Sequence, residues 1–237
     1  MKRVHLICNA HLDPVWLWRW QEGCTEALST FRTAEAFTEE FPDFVFNHNE
    51  AILYEWVKEN EPENFAKICK IMLPKDYLAY CLTGVHCCDY SDASGMLLLD
   101  VKNKCWSEQM MEICGVSREQ MPELFESYEK VGILKPEVAK ELGLPETCLV
   151  AAGAGDNAAA AVGTGTVGDG QCNVSLGTSG TIFISSENFG VDPHNALHAF
   201  AHADGHYHLM GCMLSAASCN KWWMDTIIAV SYTHLTL

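Results

Sequence analysis

The chain has 237 residues, of which 49% are hydrophobic, and a formal net charge of −16 at pH 7. That length suits one large domain or two small ones, and that apolar share is ample for a core. The acidic excess argues against nucleic acid and anionic membrane surfaces as partners, since both select basic patches, and no apolar run is long enough to cross a bilayer.

The 12 cysteines include no Cys-x-x-Cys pair, which disfavours a zinc ribbon or a thioredoxin-type motif. The start, Met1-Lys-Arg, is basic, but Val4 to Cys8 is too short for the apolar core of a signal peptide and Asn9-Ala-His11 interrupts it. The expectation is a cytoplasmic protein whose thiols are reduced and act mostly as small buried hydrophobes.

In chain order, Val4 to Cys8 reads as a buried strand. Gln21 to Glu40 reads as a helix, with Leu28, Phe31, Ala34 and Phe41 near one face. Pro42 ends it, Phe44 to Phe46 is a short second strand, and Ile52 to Glu59 begins another helix. His11 and Asp13 follow the first strand two residues apart, so both side chains can point the same way. They read either as a loop His with an Asp-Pro turn or as half of a zinc site. The run His11-Leu-Asp13-Pro-Val-Trp16, with Asn47-His-Asn-Glu50, resembles the first βα units of zinc-dependent retaining α-mannosidases. That resemblance covers about residues 1–60 and implies Zn²⁺ held by His11 and Asp13. It also implies a glycoside hydrolase as the alternative function, with a nucleophile and a further His ligand in segments the chain does not show.

From Glu63 onward the pattern is mainly helical. Pro74 opens a helix and Gly84 closes it, following the preference for proline at the first turn and glycine past the last. Asp89 to Gly95, polar and small, reads as a loop. Ser107 caps a helix over 108–113, and Ser117-x-x-Gln120 fits a capping box ahead of Pro122. Pro136 to Leu142, stopped by Gly143, is another helix.

Leu149 to Phe183 concentrates the chemistry. An apolar strand ends in Gly153-Ala-Gly155, Asp156 follows at once, and an alanine run of high helix propensity continues from Asn157. Asp156 is either the N-cap of that helix or a carboxylate poised as a base. Asn173 to Leu176 and Thr181 to Ser185 are strands joined by Gly177-Thr178-Ser179-Gly180. That turn is either an ordinary hairpin loop or a small-residue tip whose N–H groups face an anion. It is not a Walker A loop, because no Gly-Lys-Ser/Thr follows. A base beside an anion cradle is what phosphoryl transfer to a hydroxyl requires, since positioning carries most of that catalysis.

Gly163 to Gly170 reads as a flexible link between lobes. His194, His198, His202, His206 and His208 invite a metal reading, but Asp204-Gly205 between alternating segments reads as a hairpin. Ser215 to Ile227 suggests a helix. The tail from Ala229 to Leu237 does not continue it, looks non-native, and is assigned no role.

Gly153-Ala-Gly-Asp156-Asn157-Ala-Ala, followed by Ser175-Leu-Gly-Thr-Ser-Gly180, resembles the FGGY-family carbohydrate kinases of the xylulokinase type. Leu73-Pro-Lys-Asp-Tyr-Leu78, Leu82-Thr-Gly84, Ser91-Asp-Ala-Ser-Gly95, Leu209-Met-Gly211 and Trp222-Trp223 agree in order, over about 56–227. The resemblance implies an α/β fold, a partial actin-like (ribonuclease H-like) two-lobed ATPase. It implies transfer of the ATP γ-phosphoryl to a ketose hydroxyl, D-xylulose, with Mg²⁺. It implies Asp156 as the general base, Asn157 as a sugar contact, and Gly177, Thr178, Ser179 and Gly180 against the nucleotide phosphates. Partners are thereby a small sugar and ATP. The expected layout is an α-mannosidase-like βαβ head over 1–55, a partial first lobe over 56–168, the start of a second over 169–228, and the tail. Such a chain is chimeric, joined within 55–63. It lacks the first strands of the first lobe and the adenosine-binding part of the second, and is expected to be inactive alone.

Overall fold

In the computed structural model the described residues are 7–9, 19–40, 45–47, 58–60, 62–194 and 196–228. They fall into two units, Met1–Ala154 and Gly155–Leu237.

The first unit begins with β1 (Ile7–Asn9), α1 (Trp20–Glu40) and β2 (Val45–Asn47). The two strands pair in parallel, Ile7 with Val45 and Asn9 with Asn47, so the expected βαβ arrangement is present. After α2 (Pro62–Phe65) comes α3 (Pro74–Thr83). Proline opens α3, and Gly84 closes it at φ +83°, its N–H donating to the Tyr80 carbonyl. A left-handed residue at that position is cheap only for glycine.

Next come β3 (Cys87–Asp89), α4 (Tyr90–Ala93), β4 (Leu99–Asp100), β5 (Cys105–Trp106) and α5 (Glu108–Cys114). The stretch 89–95, expected to be a loop, is instead a turn of α-helix followed by a 3₁₀ turn over Ser94–Met96. Asp89 caps it, accepting the Ser91 N–H at 2.9 Å, so the polar residues that resemble a loop are supplying a helix start. Ser107 caps α5 through the Met110 N–H, and Gln120 Oε1 accepts the Ser117 N–H at 2.8 Å, as the capping-box spacing predicts.

β6 (Glu123–Phe125) pairs in parallel with β3. β3 is buried along its whole length, as strands of parallel pairs are. β7 (Lys130–Ile133), α6 (Pro136–Leu142) and β8 (Leu149–Ala151) complete the unit. β7 and β8 are antiparallel, with a bulge between Lys130 and Gly132.

The main core gathers Ile71, Leu73, Met96, Leu98, Trp106, Met111 and Met121, among others. The indole N–H of Trp106, buried there, donates to the Pro122 carbonyl at 2.8 Å, so its polar end is satisfied. A smaller cluster joins Ala79, Cys87, Val131 and Ala152.

The second unit holds α7 (Asp156–Gly163), β9 (Cys172–Leu176), β10 (Gly180–Ser186), β11 (His198–Ala201), β12 (Tyr207–Met213) and α8 (Ala217–Trp223). Its strands form one antiparallel sheet in the order β11-β12-β10-β9. The expected hairpins at Gly177–Gly180 and Asp204-Gly205 are both present. The second brings His198, His202, His206 and His208 onto strands and a turn rather than a helix face. Among the described residues no three His, Cys, Asp or Glu side chains form a metal cluster. The link 163–170 lies inside this unit, with Gly165, Gly168 and Gly170 all at positive φ. The cysteines from Cys69 to Cys219 are free thiols. Among the described residues no helix is long and apolar enough to cross a membrane. His11, Asp13, residues 55–57 and 61 of the proposed seam at 55–63, and the tail after 228 lie outside the described residues.

Candidate functional site

Asp156 is the first residue of α7, and the N-cap is Gly155. The capping alternative is therefore corrected by one position. Gly155 takes the extended cap conformation without a side-chain hydrogen bond, and the carboxylate stands one step inside. Asp156 is exposed, at the positive end of the helix dipole, where a carboxylate is favoured. Its Oδ1 accepts the Asn157 backbone N–H at 2.7 Å and the Asn157 side-chain Nδ2 at 3.0 Å. The Asn157 amide faces β10 with its other end, where Oδ1 accepts from the Thr181 hydroxyl at 3.4 Å. Asn157 thus links the carboxylate to the sheet, and Thr181 joins the site through a contact that no local sequence signal marks.

The hairpin tip Gly177-Thr178-Ser179 is exposed, whereas Gly180 is buried. Its carbonyls are committed to the start of α8: the Ala217 N–H donates to Gly177 and the Ala216 N–H to Thr178, at 2.9 and 2.8 Å. The Ser218 hydroxyl also reaches the Thr178 carbonyl, and the Ser179 hydroxyl donates to Leu214. The Gly177 N–H is bonded across the tip to the Ser179 carbonyl. Among the described residues, no backbone carbonyl takes the N–H of Thr178 or Ser179. Those two donors stand at the surface of a tip whose carbonyls point elsewhere, a polarity that fits an anionic group. Gly180 is required by packing, because a Cβ there would meet the Ala216 Cβ at 2.8 Å.

The first unit contains a buried polar hub built from the Pro-Lys-Asp-Tyr stretch and from Asp89 and Ser91. Lys75 Nζ lies 2.9 Å from Asp76 Oδ1 and 3.0 Å from Asp89 Oδ1, and both carboxylates are fully buried. Asp89 Oδ2 accepts from both N–H and hydroxyl of Ser91 and from the Ser127 hydroxyl. Asp76 Oδ2 accepts the Leu73 N–H at 3.1 Å. Burial by itself pushes the Lys75 pKa down, but Asp76 and then Asp89 more than offset it and hold the ammonium well above the ordinary lysine value. Lys75 also donates to the Ala152 carbonyl at 3.1 Å, at the end of β8. The signal that could have found this hub is an Asp directly after the apolar pair Cys87-Cys88.

The profile of the FGGY family of carbohydrate kinases, N-terminal domain, matches residues 11–163. The chain is 51% identical over 168 residues to a xylulose kinase of Escherichia coli, covering 70% of this chain and 34% of the relative. A xylulose kinase of Klebsiella pneumoniae is 48% identical over 168 residues, with 70% and 35% covered. In structure, a xyloylose kinase of Brucella ovis matches with a TM-score of 0.72 at 41% identity, over 88% of this chain and 42% of that one. The chain thus spans about a third of the length of the curated relatives it matches.

The fold is the mixed α/β fold of sugar kinases, members of the actin-like ATPases. The family match begins at residue 11, not near 56 as expected, and so takes in most of the segment set apart as a foreign head. A short βαβ unit is generic enough to resemble several α/β families at once. Nothing in these matches supports a mannosidase head or zinc at His11 and Asp13. With the match covering well over half of its residues, the chain belongs to the FGGY family of carbohydrate kinases.

Proposed function

We propose that this chain is a fragment of an ATP-dependent xylulokinase-type enzyme, carrying the base and the phosphate-facing hairpin of its sugar-phosphorylating machinery and inactive alone. The observation that carries the reading is Asp156, an exposed carboxylate at the mouth of α7 oriented by the neighbouring Asn157 amide. In the proposed reaction the Asp156 carboxylate takes the proton of a ketose hydroxyl as its oxygen attacks the γ-phosphorus of ATP. The bond from that phosphorus to the bridging oxygen breaks, and ADP leaves. Asn157 holds the sugar as well as the base. The tip Gly177, Thr178, Ser179 and Gly180 lies against the nucleotide phosphates, which the free N–H groups of Thr178 and Ser179 suit. Mg²⁺ bound with ATP would supply charge neutralisation at the phosphates. D-xylulose as the sugar is supported by the names of the relatives in Escherichia coli and Klebsiella pneumoniae.

By the family's two-lobed plan we assign residues 56–168 to the first lobe and 169–228 to the start of the second. The N-terminal-domain match ending at residue 163 supports a boundary near there.

The test is Asp156→Asn with residues 62–228 carried in a complete kinase of the family. The Asn retains shape and hydrogen bonding but cannot accept the sugar proton. Turnover is expected to fall about a hundredfold to ten-thousandfold, with ATP binding unchanged. An Asn variant that kept most of its turnover would move the base elsewhere.

A further inference from the structure

Residues 152 and 153, just ahead of Asp156, are held on two sides. The Lys75 ammonium takes the Ala152 carbonyl at 3.1 Å. The Gly153 N–H donates to the Ser127 carbonyl at 3.0 Å, and the Ser127 hydroxyl in turn donates to Asp89 at 2.7 Å. Asp89 is the same carboxylate that stands 3.0 Å from Lys75. The loop is closed: ammonium to carbonyl, N–H to carbonyl, hydroxyl to carboxylate, carboxylate to ammonium. Gly153 sits at φ +80° with the Lys75 stem 3.3 Å from where a Cβ would be, so the backbone there fits against this one side chain.

We infer that Lys75 is a positioning residue: it tethers the end of β8, from which the chain runs through only Ala154 and Gly155 to Asp156. The inference rests on the reading of Asp156 as the base. A general base works only within hydrogen-bond reach of the proton it takes, and small misplacements of catalytic groups cost large factors in rate. Two small residues between tether and carboxylate leave little slack, whereas an untethered Gly-Ala-Gly run has many conformations to visit. The ammonium donates one hydrogen bond to Asp76 and one to main chain at Ala152, and pairs by charge with Asp89 at 3.0 Å.

The experiment is amide hydrogen exchange, resolved by residue, on the full chain and on Lys75→Met and Lys75→Arg. In Lys75→Met, exchange at the Gly153 amide, which is bonded to the Ser127 carbonyl, is expected to quicken about tenfold to a hundredfold, the range a charge-assisted hydrogen bond represents. The core amides of Trp106 and Met121 should stay unchanged. Lys75→Arg, which keeps charge and donors, should restore most of the protection. If Lys75→Met unfolds the chain, Lys75→Met with Asp89→Asn replaces it, since that pair leaves the hub's net charge unaltered. Exchange that stays slow at Gly153, quickens equally through the core, or is not rescued by arginine overturns the assignment, as does loss of fold in both methionine variants. Exchange needs no kinase activity, so the tether can fail while Asp156 stands as the base, and the base can fail while the tether stands.

Discussion

Gly180 opens β10 where the start of α8 comes closest, and an added Cβ would sit 2.8 Å from Ala216 and 3.2 Å from the Met213 side chain. Gly180→Ala is therefore expected to cost about 1–3 kcal/mol through overpacking, read as a lowered thermal midpoint. Gly177, where a Cβ would meet nothing closer than 3.6 Å, should tolerate alanine better. If the two variants melted alike, packing would not be what demands glycine at 180. Asp156 makes the opposite case. Gly155 is the cap, so Asp156→Ala loses only the charge at the helix mouth and contacts to its neighbour. Its thermal stability should stay within about 1 kcal/mol of the parent, whatever happens to turnover. A larger loss would show that the side chain holds more of α7 than these contacts indicate.

At the scale of elements, β10 and β12 bury two histidines against Phe183. His208 stacks on Phe183 with ring centroids 3.9 Å apart, and His202 meets the same ring edge-on at 5.0 Å. The His202 ring is held by the Thr166 carbonyl, 2.9 Å from Nε2, and by the Asp204 N–H at Nδ1, 3.3 Å away. Among the described residues His208 Nδ1 is buried without a partner. Burial, and then His202 nearby, outweigh Asp204 and the Ala201 backbone and push the His208 pKa from 6.5 down to about 3. An unfolded His208 takes up a proton below 6.5 while the folded one refuses it until about 3, so the unfolded state binds more protons across that window. Stability is thus fully present above the upper value and lost as pH falls, by up to about 1.4 kcal/mol per pH unit. His208→Phe should keep the stacking and flatten this acid dependence. Equal acid sensitivity in parent and variant, followed by urea melts between pH 7 and 4, would assign it to other groups. Caps offer a simpler reading: Ser107→Ala removes the bond to Met110 at the start of α5 and should cost about 1 kcal/mol, checked by the same melts.

Across the whole molecule the two units are unequally packed. The first has the contiguous core around Trp106 and Met121. The second has buried rings on one sheet face, and on the other Val174, Leu176, Ile182 and Met213 are 56%, 70%, 49% and 57% exposed. The register pairs Ile182 with Val174, and Gly180 with both Leu176 and Met213, so these four side chains share a face. β9 is moreover an edge strand of this sheet. An apolar face beside an open edge favours association. The chain is expected to self-associate with rising concentration and to bind a hydrophobic dye at neutral pH, and Val174→Lys should weaken both. A monomeric chain at high concentration, with sharp near-ultraviolet dichroism and no dye binding, would contradict this.

Helix starts and stops were legible in the residues themselves. Pro74 to Gly84, Ser107, Ser117 with Gln120, and Pro136 to Gly143 are read from neighbours within a turn, because caps and breakers act locally. The two hairpins of the second unit are of the same kind, and the motif around Asp156 carried the family. Legibility stopped where a residue's meaning depends on a distant partner. Asp89 looked like part of a polar loop until Lys75, Ser91 and Ser127 were found around it. Lys75 meets Ala152 from 77 residues away in sequence, and no local pattern encodes that. The βαβ start was legible as a unit but its family was not, since its pattern of alternating strand and helix is shared by many α/β proteins. Sequence by itself determined the local elements and the motif that places the carboxylate, since both are written in adjacent residues. Only the tertiary structure decided which polar groups are buried, what satisfies them, and that Gly180 answers to Ala216, because burial and close contact are properties of chain segments brought together by folding.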